Sequence, residues 1–215
     1  MLEGLYLGSE QIEEKYLHNF TEEEKIAFRL HVQKEQEFAE RIKTELARQI
    51  DKGTPMEFNE WDYDPRPSTE LDIKYALNQI AADDPRRVVF SLSEVDTKVV
   101  DNPDRLALNI AKAFRHNTHC KRVILKGLGL TDNGMLPILR SLRNKEVSLD
   151  ISGNKLTNKT FEVVSTNLAS LENRWQEVNL GKVHLTPKHQ KALARHPNLY
   201  FTPMSVKTRS VSRGR

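Results

Sequence analysis

The stretch LDISGNKLTNKTF, residues 149–161, constrains this chain more than any other, because its pattern recurs at regular intervals. Moved back by 26 residues it falls on VILKGLGLTDNGM, where Val123, Leu125, Leu128, Leu130 and Thr131 match Leu149, Ile151, Asn154, Leu156 and Thr157. Moved forward by 29 it falls on EVNLGKVHLTPK, where Val178, Leu180, Val183, Leu185 and Thr186 hold the same places. A weaker copy starts earlier, with Phe90, Leu92 and Val95. The three stronger copies read apolar-x-apolar, then an Asn or apolar residue, then Leu-Thr. The alternation is that of a short strand with one buried face.

A helical pattern follows each copy. Asn102-Pro103 opens a helix that buries Leu106, Ile110, Ala113 and Phe114. Asp132 is expected to cap one burying Met135, Ile138, Leu139 and Leu142, and Asn158 one burying Phe161, Val164, Leu168 and Leu171. Thr186-Pro187 supplies an N-cap and a first-turn proline for the last. No strand–helix unit of this size buries its apolar face alone, so neighbours must stack with their strands in a parallel sheet and their helices outside. The Asn154 amide is expected to bond backbone groups left unpaired where the chain leaves its strand. Leu128 and Val183 replace it in the adjacent units, so no continuous polar ladder is expected.

Repeat periods of 26 and 29 residues lie in the range of leucine-rich repeats. The expected fold is therefore α/β: a short leucine-rich repeat solenoid of about four strand–helix repeats with an N-terminal α-helical cap. The units resemble the ribonuclease-inhibitor type of leucine-rich repeat. More narrowly, DDPRRVVFSLSEV followed by LALNIAKAFRHNTHCKRVILKGLGLTDNG resembles the start of the repeat domain in tropomodulins and leiomodins. The Asn117-Thr118-His119 turn carries most of that likeness, which spans about residues 83–200. It implies an actin-regulating protein. That family has about five repeats and actin- and tropomyosin-binding helices ahead of them; residues 1–82 have no clear counterpart to those helices.

Charge divides the chain. Residues 1–85 hold 10 Lys/Arg and 20 Asp/Glu, whereas residues 86–215 hold 23 and 10. We read an acidic helical segment over 1–56, a linker or docking segment over 57–68, the repeat domain with its capping helix over 69–202, and a basic tail over 203–215, expected to be disordered. Within the first, Thr21 and Glu24 form a capping box for one long helix over 21–50, striped by Phe28, Val32, Ala39, Ile42 and Leu46. That stripe is expected either to cover the open end of the solenoid or to dock on a partner. Trp61 and Tyr63 in EFNEWDYDPRPS are further partner candidates. A helix over 69–82 with Leu71, Ala76, Leu77 and Ile80 inward completes the cap.

No apolar run approaches the ~20 residues that span a bilayer, and the N-terminus lacks the pattern of a secretory signal. With a single cysteine, Cys120, a disulfide framework is excluded, and a cytoplasmic location is expected. We find no phosphate loop, no metal-ligand spacing and no nucleophile with a fixed base, so no cofactor and no enzyme is expected. Function should then reside in surfaces. If Val123, Leu125, Leu149, Ile151, Val178 and Leu180 face inward, then Ser91, Ser93, Ile124, Lys126, Ser148, Asp150, Ser152, Glu177 and Asn179 line the concave sheet. The expected role is a non-catalytic protein–protein interaction module: an adaptor, inhibitor or assembly subunit. Actin is one candidate partner. Nucleic acid or an acidic membrane surface, met by basic residues such as Lys112, Arg140, Lys191 and Arg209, is a less favoured one.

Overall fold

The computed structural model describes residues 12–51, 70–92, 100 and 102–203. A 3-10 turn, Glu14–Tyr16, leads into α1 (Glu22–Asp51). After it come α2 (Glu70–Ala81), β1 (Val89–Ser91), α3 (Pro103–Phe114), β2 (Arg122–Ile124), α4 (Asp132–Ser141), β3 (Ser148–Asp150), α5 (Asn158–Ala169), β4 (Val178–Val183), α6 (Pro187–Leu193) and β5 (Leu199–Pro203). The strands form one sheet in chain order, every neighbouring pair parallel. The repeat read from the sequence is the register of this sheet: Phe90 pairs with Val123, Val123 with Leu149, and Leu149 with Val178. The architecture is a short solenoid of the leucine-rich-repeat kind with a helical N-terminal segment. One strand was not foreseen. Leu199-x-Phe201 continues the apolar alternation, and β5 pairs Leu199 with Val178. The expected strand residue Val95, the linker 57–68 and residues 204–215 lie outside the described residues.

One core runs the length of the stack. Phe90, Val123, Val178, Ile110, Ile138, Leu139 and Val164 are fully buried between sheet and helices. Trp175 closes the C-terminal part, its indole N–H donating to the Leu142 carbonyl at 3.0 Å. Leu171, expected inside, is fully exposed. The reason is local: α5 ends at Ala169, and Ser170 turns to an extended conformation at ψ 138°, which carries Leu171 off the buried face.

The corners between strands and helices are held by side chains. Asn154 does what its position required. Its amide donates to the carbonyls of Leu125 (2.7 Å) and Ile151 (2.9 Å), and its oxygen accepts from the Leu130 N–H at 3.1 Å. Two of those three partners belong to the preceding repeat, so one side chain both finishes its own turn and ties it to its neighbour. Leu128 and Val183 are buried at the equivalent places and fill them with apolar volume. The helix caps differ from expectation by one residue. Thr131 and Thr157, not Asp132 and Asn158, are the N-caps, their hydroxyls accepting from Asn133 and Lys159 N–H groups. Asp132 is thereby freed to reach across the stack, where it accepts from the N–H and hydroxyl of Thr157 and from the Thr160 hydroxyl. Asp104 grips Thr131 in the same way. The Leu-Thr corner is therefore a cap for its own helix and a donor to the previous one.

The N-terminal segment seals the first repeat. The capping box forms as expected: the Thr21 N–H donates to Glu24 at 2.8 Å and the Glu24 N–H to the Thr21 hydroxyl at 3.1 Å. Phe28 and Val32 of α1 are buried with Tyr16, Leu17, Phe20 and Tyr75 in a second, smaller core. Glu24 pairs with Lys74 and His31 with the buried Asp72, which ties α1 to α2. At 30 residues α1 is about 45 Å long, much longer than the 12-residue α2 it packs on. α2 then lies on α3, with Ala76 and Ile80 in the main core.

The joint between cap and solenoid is built from the two motifs that carried the family likeness. Asp83, at φ 54°, accepts from the Thr118 N–H and hydroxyl and from the His119 N–H. Asn117 is buried, donating to the Ile80 carbonyl and accepting from the Cys120 N–H. Asp84 accepts from the Tyr16 hydroxyl at 2.6 Å and from Arg86, and Arg87 donates to Gln79. Burial pushes the Asp83 carboxyl up, but the hydrogen bonds from Thr118 and His119 outweigh it and hold the group well below the usual carboxylate range. A group depressed in the folded state stabilises it above the unfolded-state pKa, near 4, and loses that contribution as pH falls toward the folded value. The urea midpoint should therefore fall between about pH 5 and pH 3. Asp83→Asn, which cannot titrate, should be less stable at pH 7 and show a shallower decline, measured by equilibrium unfolding across that range.

Candidate protein interface

The parallel register places one row of side chains across the open sheet face: Ser91 beside Ile124, then Asp150, Asn179 and Tyr200. A second row runs from Val89 through Arg122 to Ser148, and Glu177, immediately before β4, continues it. Between the rows lies a groove of about 390 Å³ lined by Arg122, Ile124, Ser148, Leu149, Asp150, Glu177, Asn179 and Tyr200. Leu149 was expected inward, and five of the other seven on the concave face. Arg122 and Tyr200 were not. Arg122 follows from the same alternation that placed Ile124. Tyr200 was hidden because β5 itself went unread, although Leu199 and Phe201 flank it with the apolar-x-apolar signal.

The floor is partly fixed by hydrogen bonds. Asp150 accepts from the Ser152 N–H and, at 3.0 Å, from the Asn179 amide of the next strand. Asn179 in turn accepts from the Gly181 N–H. These contacts hold Asp150 and Asn179 in place while leaving both half-buried. Glu177 is exposed, and Tyr200 is 53 % exposed. Lys126 lies exposed further along the same face.

Two groups of expected contact residues are placed otherwise. Ser152 is buried, with the Gly181 backbone of the next strand packed close against it. A Cβ at Gly181 would meet the Ser152 Cβ at 2.7 Å, and φ there is +65°. Phe28 and Val32, offered as partner anchors, are buried against Tyr75 and α2 and so serve the chain's own cap. Ile42 and Leu46 fall on α1, but their side chains lie outside the described residues, as do Ser93, Trp61 and Tyr63. Cys120 is buried, its thiol pushed up to about 11 by desolvation, and donates to the Arg122 carbonyl. His189 bridges Thr186 and Glu162.

Fold and surface together define the class: a capped, short solenoid of leucine-rich-repeat kind that presents a mixed polar and aromatic groove on its parallel sheet. No family model matches the sequence, and no curated protein matches it. Among solved structures the fold is similar to one described as "Leiomodin-1 Actin-Binding Site 2 (ABS2)", with a TM-score of 0.51 and 18% identity. The match covers 63% of this chain and 80% of that one. At this identity the likeness is one of fold. Among the described residues, no helix is long and apolar enough to cross a membrane.

The close approach at Gly181 has a measurable consequence. Gly181→Ala should destabilise the chain by about 1–3 kcal/mol through the left-handed backbone and the clash with Ser152. A paired Ser152→Gly change should recover only the steric part. Chemical unfolding of the two single variants and the double variant separates them.

Proposed function

We propose that this chain is a non-catalytic protein-interaction module that binds another protein through the groove on its sheet. The observation that carries the reading is the row Ile124–Asp150–Asn179–Tyr200, half-buried or exposed and held in register by four parallel strands. A face built on strands is rigid before binding, which lowers the ordering cost of association. A half-buried isoleucine at one end of the row and an exposed tyrosine at the other give it apolar and amphipathic contacts of the kind that interfaces favour. The basic residues are arranged differently. Lys112, Arg140 and Lys191 sit exposed on α3, α4 and α6, spread over the outer helices.

Actin is the more specific form of this reading. It draws on the description of the structural neighbour as an actin-binding site and on the local resemblance of the cap joint to leiomodins. The two levels are tested together. Partners are captured on the full chain, purified, and their affinity re-measured against Ile124→Arg on the sheet and Lys112→Glu on the outer helices. The sheet variant is expected to lose about tenfold or more in affinity, and the helix variant less than about twofold. Equal losses, or none for Ile124→Arg, would overturn the assignment to the groove. Pyrene-labelled actin assembly with and without the chain reports on actin directly. An altered nucleation or elongation rate that Ile124→Arg abolishes is the outcome expected of an actin ligand.

A further inference from the structure

We infer that the groove is built to receive an arginine side chain from an extended segment of its partner, held between the Tyr200 ring and the Glu177 carboxylate. This rests on the protein-binding reading above and gives the partner a chemistry.

The argument starts from register. Asn179 is paired with Tyr200 and Asp150 with Asn179, so Glu177 lies two residues back along the strand beside Tyr200. Both point to the open face. Strand spacing and rise put their Cα atoms about 8 Å apart. That separation leaves room for one flat group lying against the ring with its edge toward the carboxylate. The second carboxylate of the groove, Asp150, accepts one hydrogen bond on each oxygen, from the Ser152 N–H and the Asn179 amide. Further lone pairs remain on it. Glu177 is exposed, and among the described residues no hydrogen bond or ion pair engages its side chain.

Charge then selects the guest. Two carboxylates and one guanidinium line the groove, and that guanidinium, Arg122, already has an interaction within the chain. It sits across Ser148 from Glu177, two strands away. The groove is thus an acidic spot in the half of the chain that holds 23 Lys/Arg against 10 Asp/Glu. With two carboxylates against one guanidinium, the groove's own charges favour a single positive group. An aromatic face next to a carboxylate favours arginine over lysine. Guanidinium is planar, stacks on the ring and offers parallel N–H donors to a carboxylate, whereas ammonium is a compact, strongly hydrated charge.

The test is a titration of the full chain, followed by NMR of the backbone amides, with the peptide acetyl-Gly-Gly-Arg-Gly-Gly-amide. The same peptide carrying citrulline, which keeps the shape and loses the charge, and one carrying lysine are the comparisons. Shifts confined to β4, β5 and residue 177 are expected with the arginine peptide, weaker ones with lysine and none with citrulline. Glu177→Gln should weaken binding about tenfold and Tyr200→Ala about threefold, with unchanged thermal unfolding showing that both still fold. Equal binding of the citrulline peptide, indifference to Glu177→Gln, or no shifts with any peptide would overturn the inference. The two levels fail separately. If the peptides fail while Ile124→Arg still abolishes binding of a purified partner, protein binding at the groove stands and arginine recognition falls. If Ile124→Arg is also without effect, both fall.

Discussion

Everything in this molecule depends on lateral shelter between repeats. A strand of three residues followed by a helix of ten or twelve cannot fold alone, because its apolar face would remain in water. The row Phe90, Val123, Leu149, Val178 and Leu199 runs through five strands; all five side chains are buried, and the inner three are flanked by a unit on either side. Side-chain hydrogen bonds reinforce the stacking in the same direction. Asn154 bonds the backbone of the preceding turn, and Asp104 and Asp132 each grip the Thr corner of the following unit. Hydrophobic burial brings the repeats together; these directional bonds fix the register, which decides what lies on the open face.

A stack has ends, and this one manages them differently. At the first repeat α2 covers the core and α1 covers α2, through Phe28, Val32 and Tyr75. The joint is polar: Asp84 with Tyr16 and Asn117 with Ile80 and Cys120 are buried, while Arg86 on Asp84 and Thr118 on Asp83 lie nearer the surface. Unpaired, each of the buried groups would cost roughly 1–3 kcal/mol, so their hydrogen bonds make the cap part of the fold. At the other end a fifth strand continues the sheet. That strand brings Tyr200 to the edge of the groove, and so the last described strand also shapes the open face.

Much of this was legible beforehand. The spacing of Val123, Leu149 and Val178 predicted the parallel ladder, and Asn154 announced its own bonding by standing where a turn leaves backbone groups unpaired. Helix stripes such as Met135–Ile138–Leu139 were read correctly because periodicity reports directly on which face is buried. The errors fell where a local signal had two uses. Asp132 is a good N-cap, but Thr131 is one too, and the carboxylate was needed across the stack. Ser152 alternates outward by strict strand period, yet the Gly181 backbone of the neighbouring strand packs close against it. Leu171 fits a helical stripe that the helix does not live long enough to use.

The sequence by itself determined the repeat, the register it implies, the helix faces and the existence of an acidic helical front, because these follow from periodicity and from capping chemistry within a few residues. Only the tertiary structure decided that Phe28 and Val32 close the chain's own cap, that Gly181 lies over Ser152, and that Tyr200 stands beside Glu177. Each of those depends on where a second segment comes to rest. An apolar stripe has the same period whether it meets its own chain or another, and no spacing along one strand records how closely the next one approaches.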